Sequence, residues 1–185
     1  TYRYYADSNG AKSNQLDGAP INAGTYWVEA YASETSSTAS ATSQAVRFHI
    51  EKAPLCIRAK DKTITYGETL SDNGVEINGF VNNENETVLS GLHYAFDYAQ
   101  FSDIGTYTII PMNAQAENYK ITYENGVLTV QPKPVEIKWN SESLFYYDGT
   151  PKLVTAEAIG AVNGDALTVI IEDGSRTEIG EYTAR

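Results

Sequence analysis

The chain has 185 residues, with 24 acidic side chains against 13 basic ones and a net charge of −11. That balance argues against nucleic acid as a partner, since no basic stripe is there to neutralise phosphates, and against unaided docking on an anionic membrane. No apolar run approaches the ~20 residues of a spanning helix, so direct membrane insertion by a helix is not expected either.

The apolar residues are of an unusual kind: 14 Tyr stand against five Phe and one Met. Tyr suits thin sheets, where the ring packs while the hydroxyl reaches water. Val, Ile, Thr and Tyr dominate the periodic stretches, which favours strands over helices. In chain order, alternation predicts strands over 2–5, 25–32 and 45–50, with a mobile Ser/Thr/Ala-rich loop at 33–43. A second group follows at 55–60, 63–66, 75–78, 92–98, 106–111, 119–123 and 127–131. Tyr66-Gly67-Glu68 punctuates its first pair, and 85–89 reads as one helical turn. Glu124-Asn125-Gly126 reads as a hairpin turn joining its last pair, because Asn-Gly readily adopts the positive φ angles of a tight turn. A third group is predicted at 135–139, 144–147, 153–157 and 167–171, with Tyr147-Asp148-Gly149 standing where Tyr66-Gly67 stands in the second.

One phrase recurs in all three groups: Ala23-Gly24-Thr25-Tyr26, Ile104-Gly105-Thr106-Tyr107 and Ile179-Gly180-Glu181-Tyr182. Its glycines lie 81 and 75 positions apart, one β-domain period. Two similar seams, Glu51-Lys52-Ala53-Pro54 and Gln131-Pro132-Lys133-Pro134, supply short linkers stiffened by proline. The chain therefore divides into 1–52, the later strands of a repeat; 53–132, a complete repeat; and 133–185, the earlier strands of a repeat. It is expected to be a segment of a longer array. Modules of about 80 residues bury only a thin core. Open edges of incomplete modules are sticky, so intermolecular strand pairing at the incomplete ends, or irregular packing of the first module, is expected.

The phrase also has local mechanics. Asp103-Ile104-Gly105-Thr106-Tyr107 is similar to the tyrosine corner of immunoglobulin-like sandwiches, in which a Tyr at the start of a late strand bonds back to upstream backbone. Gly24, Gly105 and Gly180 would make the turn, and Tyr26, Tyr107 and Tyr182 would lock it. The expected fold is all-β: tandem small antiparallel β-sandwich modules, Ig-like. β-grasp-like modules with one short helix are the alternative.

Residues that could carry chemistry are few. His49 and His93 are the only histidines, and each reads as a strand residue on a wet face. Cys56, the only cysteine, sits in an alternating strand as a small hydrophobe, which leaves no disulfide and no thiol nucleophile with a partner. The oxygen-rich loops Asn82-Asn83-Glu84-Asn85-Glu86 and Asn163-Gly164-Asp165 fall short of a twelve-residue calcium loop. Asn85-Glu86-Thr87 matches a glycosylation pattern by coincidence. Lys60, Lys62, Lys120 and Lys138 are strand-adjacent, with no partner for a cross-strand isopeptide identifiable from sequence. Tyr2, Tyr4, Tyr5, Tyr94, Tyr98, Tyr146 and Tyr147 read first as cross-strand packing and second as platforms for sugar rings. No catalytic residue, metal site or cofactor is expected.

Tyr66-Gly67, Gly79-Phe80-Val81-Asn82, Gly105-Thr106-Tyr107-Thr108-Ile109, Asn118-Tyr119-Lys120-Ile121-Thr122-Tyr123 and Asn125-Gly126-Val127-Leu128 together resemble the bacterial surface repeats of the MBG and YDG type. Phe145-Tyr146-Tyr147-Asp148-Gly149 and Val162-Asn163-Gly164-Asp165 extend the resemblance into the third module. It implies a secreted or wall-attached bacterial protein, a large adhesin, and carries over no catalytic residues. The function expected is a stalk segment that spaces a binding domain from the cell, at roughly 30–40 Å per module if strands run along it. The alternatives are direct recognition of host glycan or mucin, and accessory modules of a secreted enzyme. A host glycan or glycoprotein would then be the partner of the parent protein.

Overall fold

In the computed structural model, residues 1–71, 74–140 and 144–185 are described. They are all-β, and their one helical piece is a 3-10 turn at Glu86–Val88, where a single helical turn was expected. The first group of strands is β1 (Tyr2–Ser8), β2 (Ala11–Gln15), β3 (Gly24–Ala32), β4 (Ala41–Thr42) and β5 (Val46–Ile50). The second is β6 (Ala53–Ala59), β7 (Lys62–Thr65), β8 (Val75–Asn78), β9 (His93–Phe96), β10 (Gly105–Met112), β11 (Tyr119–Glu124) and β12 (Gly126–Gln131). The third is β13 (Glu136–Trp139), β14 (Lys152–Leu153), β15 (Ala156–Ile159) and β16 (Ser175–Arg176). The chain forms two compact units. One comprises Thr1–Lys60, Asn73–Ala95 and Ile109–Gly126; the other comprises Asp61–Asp72, Phe96–Thr108 and Val127–Arg185.

In the first unit, β1 to β5 form one antiparallel sheet in the order β2-β1-β3-β4, with β5 also on β3. β2 was not expected, because all five of its residues are exposed and show no apolar alternation. It forms because Asn9 and Gly10, at φ 50° and 82°, make a two-residue hairpin turn whose twist suits the strands. β4 falls inside the expected 33–43 loop, paired as Tyr31 with Thr42 and Ala32 with Ala41. Alternation sorts the faces: Tyr5 sits opposite Trp27 and Arg3 opposite Glu29 on one side, while Tyr26 sits opposite Phe48 on the other. On that second side the Phe48 ring meets Tyr4 edge-on at 6.4 Å and Tyr26 at 5.8 Å.

Also in the first unit, β6 lies between β8, antiparallel, and β11, parallel. Leu55, Ile57 and Ala59 of β6 and Tyr119 of β11 are buried. The linker expected at 51–54 ends early, since Ala53 and Pro54 already belong to β6. Ala53 N donates to Asn118 O. Alternate residues serve alternate neighbours, so the donor that Pro54 lacks would point away from β11 and past the end of β8, where nothing needs it.

In the second unit, β7 and β12 pair in parallel and bury Ile64, Leu128 and Val130. By strand pairing alone, β7, β12, β10 and β9 are neighbours in that order. These parallel pairs depart from the antiparallel sheets expected throughout. They also overturn the hairpin expected at Glu124-Asn125-Gly126, since β11 and β12 lie in different sheets. Tyr119 lies beside Ala53 and Leu128 beside Lys62, a separation of 66 positions in both pairs. The two pairings thus keep one register, and Asn125 is the single residue between β11 and β12.

The third group forms two short antiparallel ladders, β13 with β15 and β14 with β16. The strands expected at 144–147 and 167–171 do not form. Leu144, Phe145, Tyr146, Tyr147, Leu167 and Ile170 are exposed. An alternating strand needs a second layer to bury its apolar side, and two-stranded ladders provide none.

Candidate functional site

The recurring phrase shapes a loop at its first two occurrences. Gly24 and Gly105 have φ of 154° and 152°, which side chains on L-residues rarely adopt. Two residues on, Tyr26 Oη donates to Asn22 O at 3.0 Å and Tyr107 Oη donates to Asp103 O at 2.7 Å. In the third copy the Tyr182 hydroxyl lies over Gly180, 3.0 Å from where a β-carbon would be, and the Arg176 guanidinium lies 5.1 Å from the ring centroid. Tyr107 also leans edge-on against Tyr98 at 5.1 Å.

The tyrosine thereby holds the two residues before its glycine, and those residues make contacts of their own. In the first unit the Asn118 carboxamide grips this loop twice: Ala23 N donates to Asn118 Oδ1 at 2.9 Å, and Asn118 Nδ2 donates to Asn22 Oδ1 at 3.1 Å. In the second unit the corresponding Asp103 and Ile104 line an open cleft of about 350 Å³ together with Tyr66, Lys133, Val162 and Asp165.

Tyr66 lines this cleft. Tyr66 N donates to Gln131 O, and the Tyr66 ring meets Phe101 edge-on at 6.1 Å. Burial pushes the Tyr66 phenol above its ordinary pKa, with nearby Asp165 adding to the shift while an Asn163 hydrogen bond opposes it. The Gly67 backbone bend (φ 89°) brings that residue against the Val162 methyl and the Phe101 ring. Gln100 Nε2 donates to Gly67 O, fixing the turn from the other side.

Tyr147-Asp148-Gly149 shows what the same sequence position does with little packed on it. Tyr147 is exposed, and Asp148 folds its carboxylate onto Lys152 Nζ, Thr150 Oγ1 and Thr150 N. Lys152 first, then Thr150, hold the Asp148 carboxyl well below the usual carboxylate range.

One cluster had no sequence-level expectation behind it. On the Tyr5/Trp27 face of the first sheet, Glu29 is only 6% exposed. Tyr5 Oη donates to its Oε1 at 2.5 Å and Lys12 Nζ to its Oε2 at 2.6 Å, with Lys12 also 4.2 Å from the Tyr5 ring centroid. Lys12 and then Tyr5 lower the Glu29 pKa, and Glu29 raises that of Lys12. Beside it, Asp7 takes Arg47 Nε at 2.9 Å and Trp27 Nε1 at 2.8 Å. The signal was available: Glu29 is in phase with Trp27 and Tyr31, so it faces the same way as two large rings. These groups satisfy one another, as a structural network does.

The histidines are peripheral. His49 is exposed on β5, with its Nδ1 2.9 Å from Thr25 Oγ1, and His93 is exposed on β9. Cys56 is half-buried. Among the described residues no group of three or more His, Cys, Asp or Glu converges to hold a metal. No helix among them is long and apolar enough to cross a membrane. The arrangement is one of hydrogen bonding and packing.

No curated protein and no solved structure matches the chain. Residues 55–129 do match a family model, that of the MBG domain (YGX type). The match runs from Leu55 in β6 to Thr129 in β12 and contains Tyr66-Gly67, Gly105, Tyr107, Asn118 and Gly126. Over this segment the chain is similar to the MBG domain (YGX type), as the resemblance in its motifs implied.

Proposed function

We propose that the chain is a non-catalytic spacer from a bacterial surface adhesin, extracellular and attached to the cell wall, in which MBG-type repeats hold a binding domain away from the cell. The observation that carries this reading is the Asn118 grip on Asn22-Ala23. The carboxamide is spent on joining one repeat to the next, and the loop it joins is the one the repeated tyrosine holds. The family match supports a surface-repeat role for the middle segment. A glycan array probed with the 185-residue chain is the test: a spacer gives background signal on every sugar, and specific binding would overturn the reading.

A second reading, recognition of host glycan or mucin by the repeats themselves, draws on Tyr146 and Tyr147. They are 83% and 65% exposed and adjacent, and rings of that kind stack on sugar faces. The same array favours it if binding appears and is lost in Tyr146→Ala.

A further inference from the structure

We propose that the middle repeat is a mechanical clamp that resists tension applied along the chain. The inference rests on which strands pair and in which direction. β6 and β7 come first in this repeat, and β11 and β12 come last. The first strands pair with the last ones, and both pairings are parallel: β6 with β11 over Ala53 to Arg58, and β7 with β12 over Lys62 to Thr65.

Tension through the chain pulls β6 and β7 toward their N-termini and β11 and β12 toward their C-termini. In a parallel pair those two pulls are opposed along the strand axis, so the pair is loaded in shear. Its evenly spaced hydrogen bonds then bear the load together, whereas strands pulled apart from one shared end lose their bonds one at a time. Forced unfolding is governed by the barrier to this rupture rather than by equilibrium stability.

Further bonds strengthen the two pairings at their ends. Ala53 N donates to Asn118 O and Tyr66 N to Gln131 O, which extends each ladder at an end. Val127 N donates to Asp61 Oδ1 at 2.9 Å, holding the start of the second pair. Leu55, Ile57, Leu128 and Val130 are all buried, so water cannot readily replace the bonds beside them as the strands begin to slide.

The proposal deepens the spacer reading by giving the repeat work to do under tension, and the two fail separately. Sugar binding would sink the spacer and leave the clamp, while easy rupture would sink the clamp and leave the spacer. The test is single-molecule stretching of the whole 185-residue chain by its two ends. Rupture of the middle repeat is identified by its length, since residues 53–131 release about 260–285 Å of extended chain, less the folded span. The comparison is the same chain with Cys56→Ala, pulled through cysteines placed by Glu51→Cys and Glu117→Cys. This geometry loads β6 and β11 from their shared starting end and peels them. A thermal melt first establishes that the two forms are equally folded. The expected result is a rupture force several-fold higher in the end-to-end geometry. Equal or lower force there than in the peeling geometry would overturn the clamp.

Discussion

Gly126 lies against the backbone of Ala59 so closely that a β-carbon would stand 2.7 Å from the Ala59 carbonyl oxygen and 2.9 Å from that of Lys60. Backbone cannot swing aside as a side-chain tip can. Gly126→Ala should therefore cost about 1–3 kcal/mol, the usual penalty for overpacking a tight site. Gly18→Ala, where an added β-carbon meets nothing within 4 Å, should stay within about 0.5 kcal/mol. Urea unfolding midpoints of the two variants check this, and equal midpoints would refute the close approach.

Tyr107→Phe keeps the ring against Tyr98 and removes only the bond to Asp103 O. The expected loss is about 0.5–1.5 kcal/mol, the net worth of one hydrogen bond. Tyr26→Phe should behave alike, because Tyr26 makes the same bond to Asn22 O. If melting temperature is unmoved in both variants, the hydroxyl has no part in holding the loop.

Asn118→Leu removes both bonds to Asn22 and Ala23 while keeping roughly the side-chain volume. The Ala23 amide, half-buried and bonded only to Asn118 among the bonds seen here, should then exchange with solvent faster, by a factor of about ten for a loss near 1.4 kcal/mol. Amide hydrogen exchange at Ala23 reads this directly. Protection equal to the parent chain would mean that Asn118 does not hold the junction.

The Tyr5–Glu29–Lys12 cluster sets a pH dependence at both extremes. Glu29 and Asp7 have folded pKa values below their ordinary values of 4.5 and 3.8, so the stability they contribute is present above those values and is lost as pH falls through the folded ones. Lys12 is raised above 10.5, so its contribution is full below that value and is lost as pH rises through the folded one. Glu29→Gln should flatten part of the acid arm, leaving the shares due to Asp7 and Asp148, and should flatten the part of the alkaline arm due to Lys12, leaving that due to Tyr66 and Tyr119. Urea unfolding followed by Trp27 fluorescence, repeated from pH 2 to 11, measures both arms. An acid arm as steep in Glu29→Gln as in the parent would show that Glu29 does not contribute.

What could be read from the sequence was what local chemistry decides. The tyrosine bond reaches only four residues back, so a glycine, a turn and a Tyr two positions later were enough to suggest it. The second group of strands was legible for the same reason, since its alternation is strong. Asn-Gly shows where such reading stops. At Asn9-Gly10 the dipeptide closes a hairpin, while at Asn125-Gly126 the flanking strands enter different sheets. The difference lies in distant partners: β11 is claimed by β6 and β12 by β7, each 66 positions away. Nothing within the dipeptide reports that competition. Glu29 was missed for a related reason, because a carboxylate in a strand reads as solvent-facing until Lys12 and Tyr5 are known to converge on it.

The constant 66-position register has a consequence for how the segment from β6 to β12 can change in length. Residues added between Thr65 and Asn118 alter the number but leave both ladders aligned. A residue inserted near Lys60-Asp61 shifts one ladder against the other, unless a second is inserted near Gly126-Val127. Insertions and deletions at these two points should therefore occur as matched pairs, and a deletion of Asp61 that unfolds the chain should be rescued by a deletion of Val127.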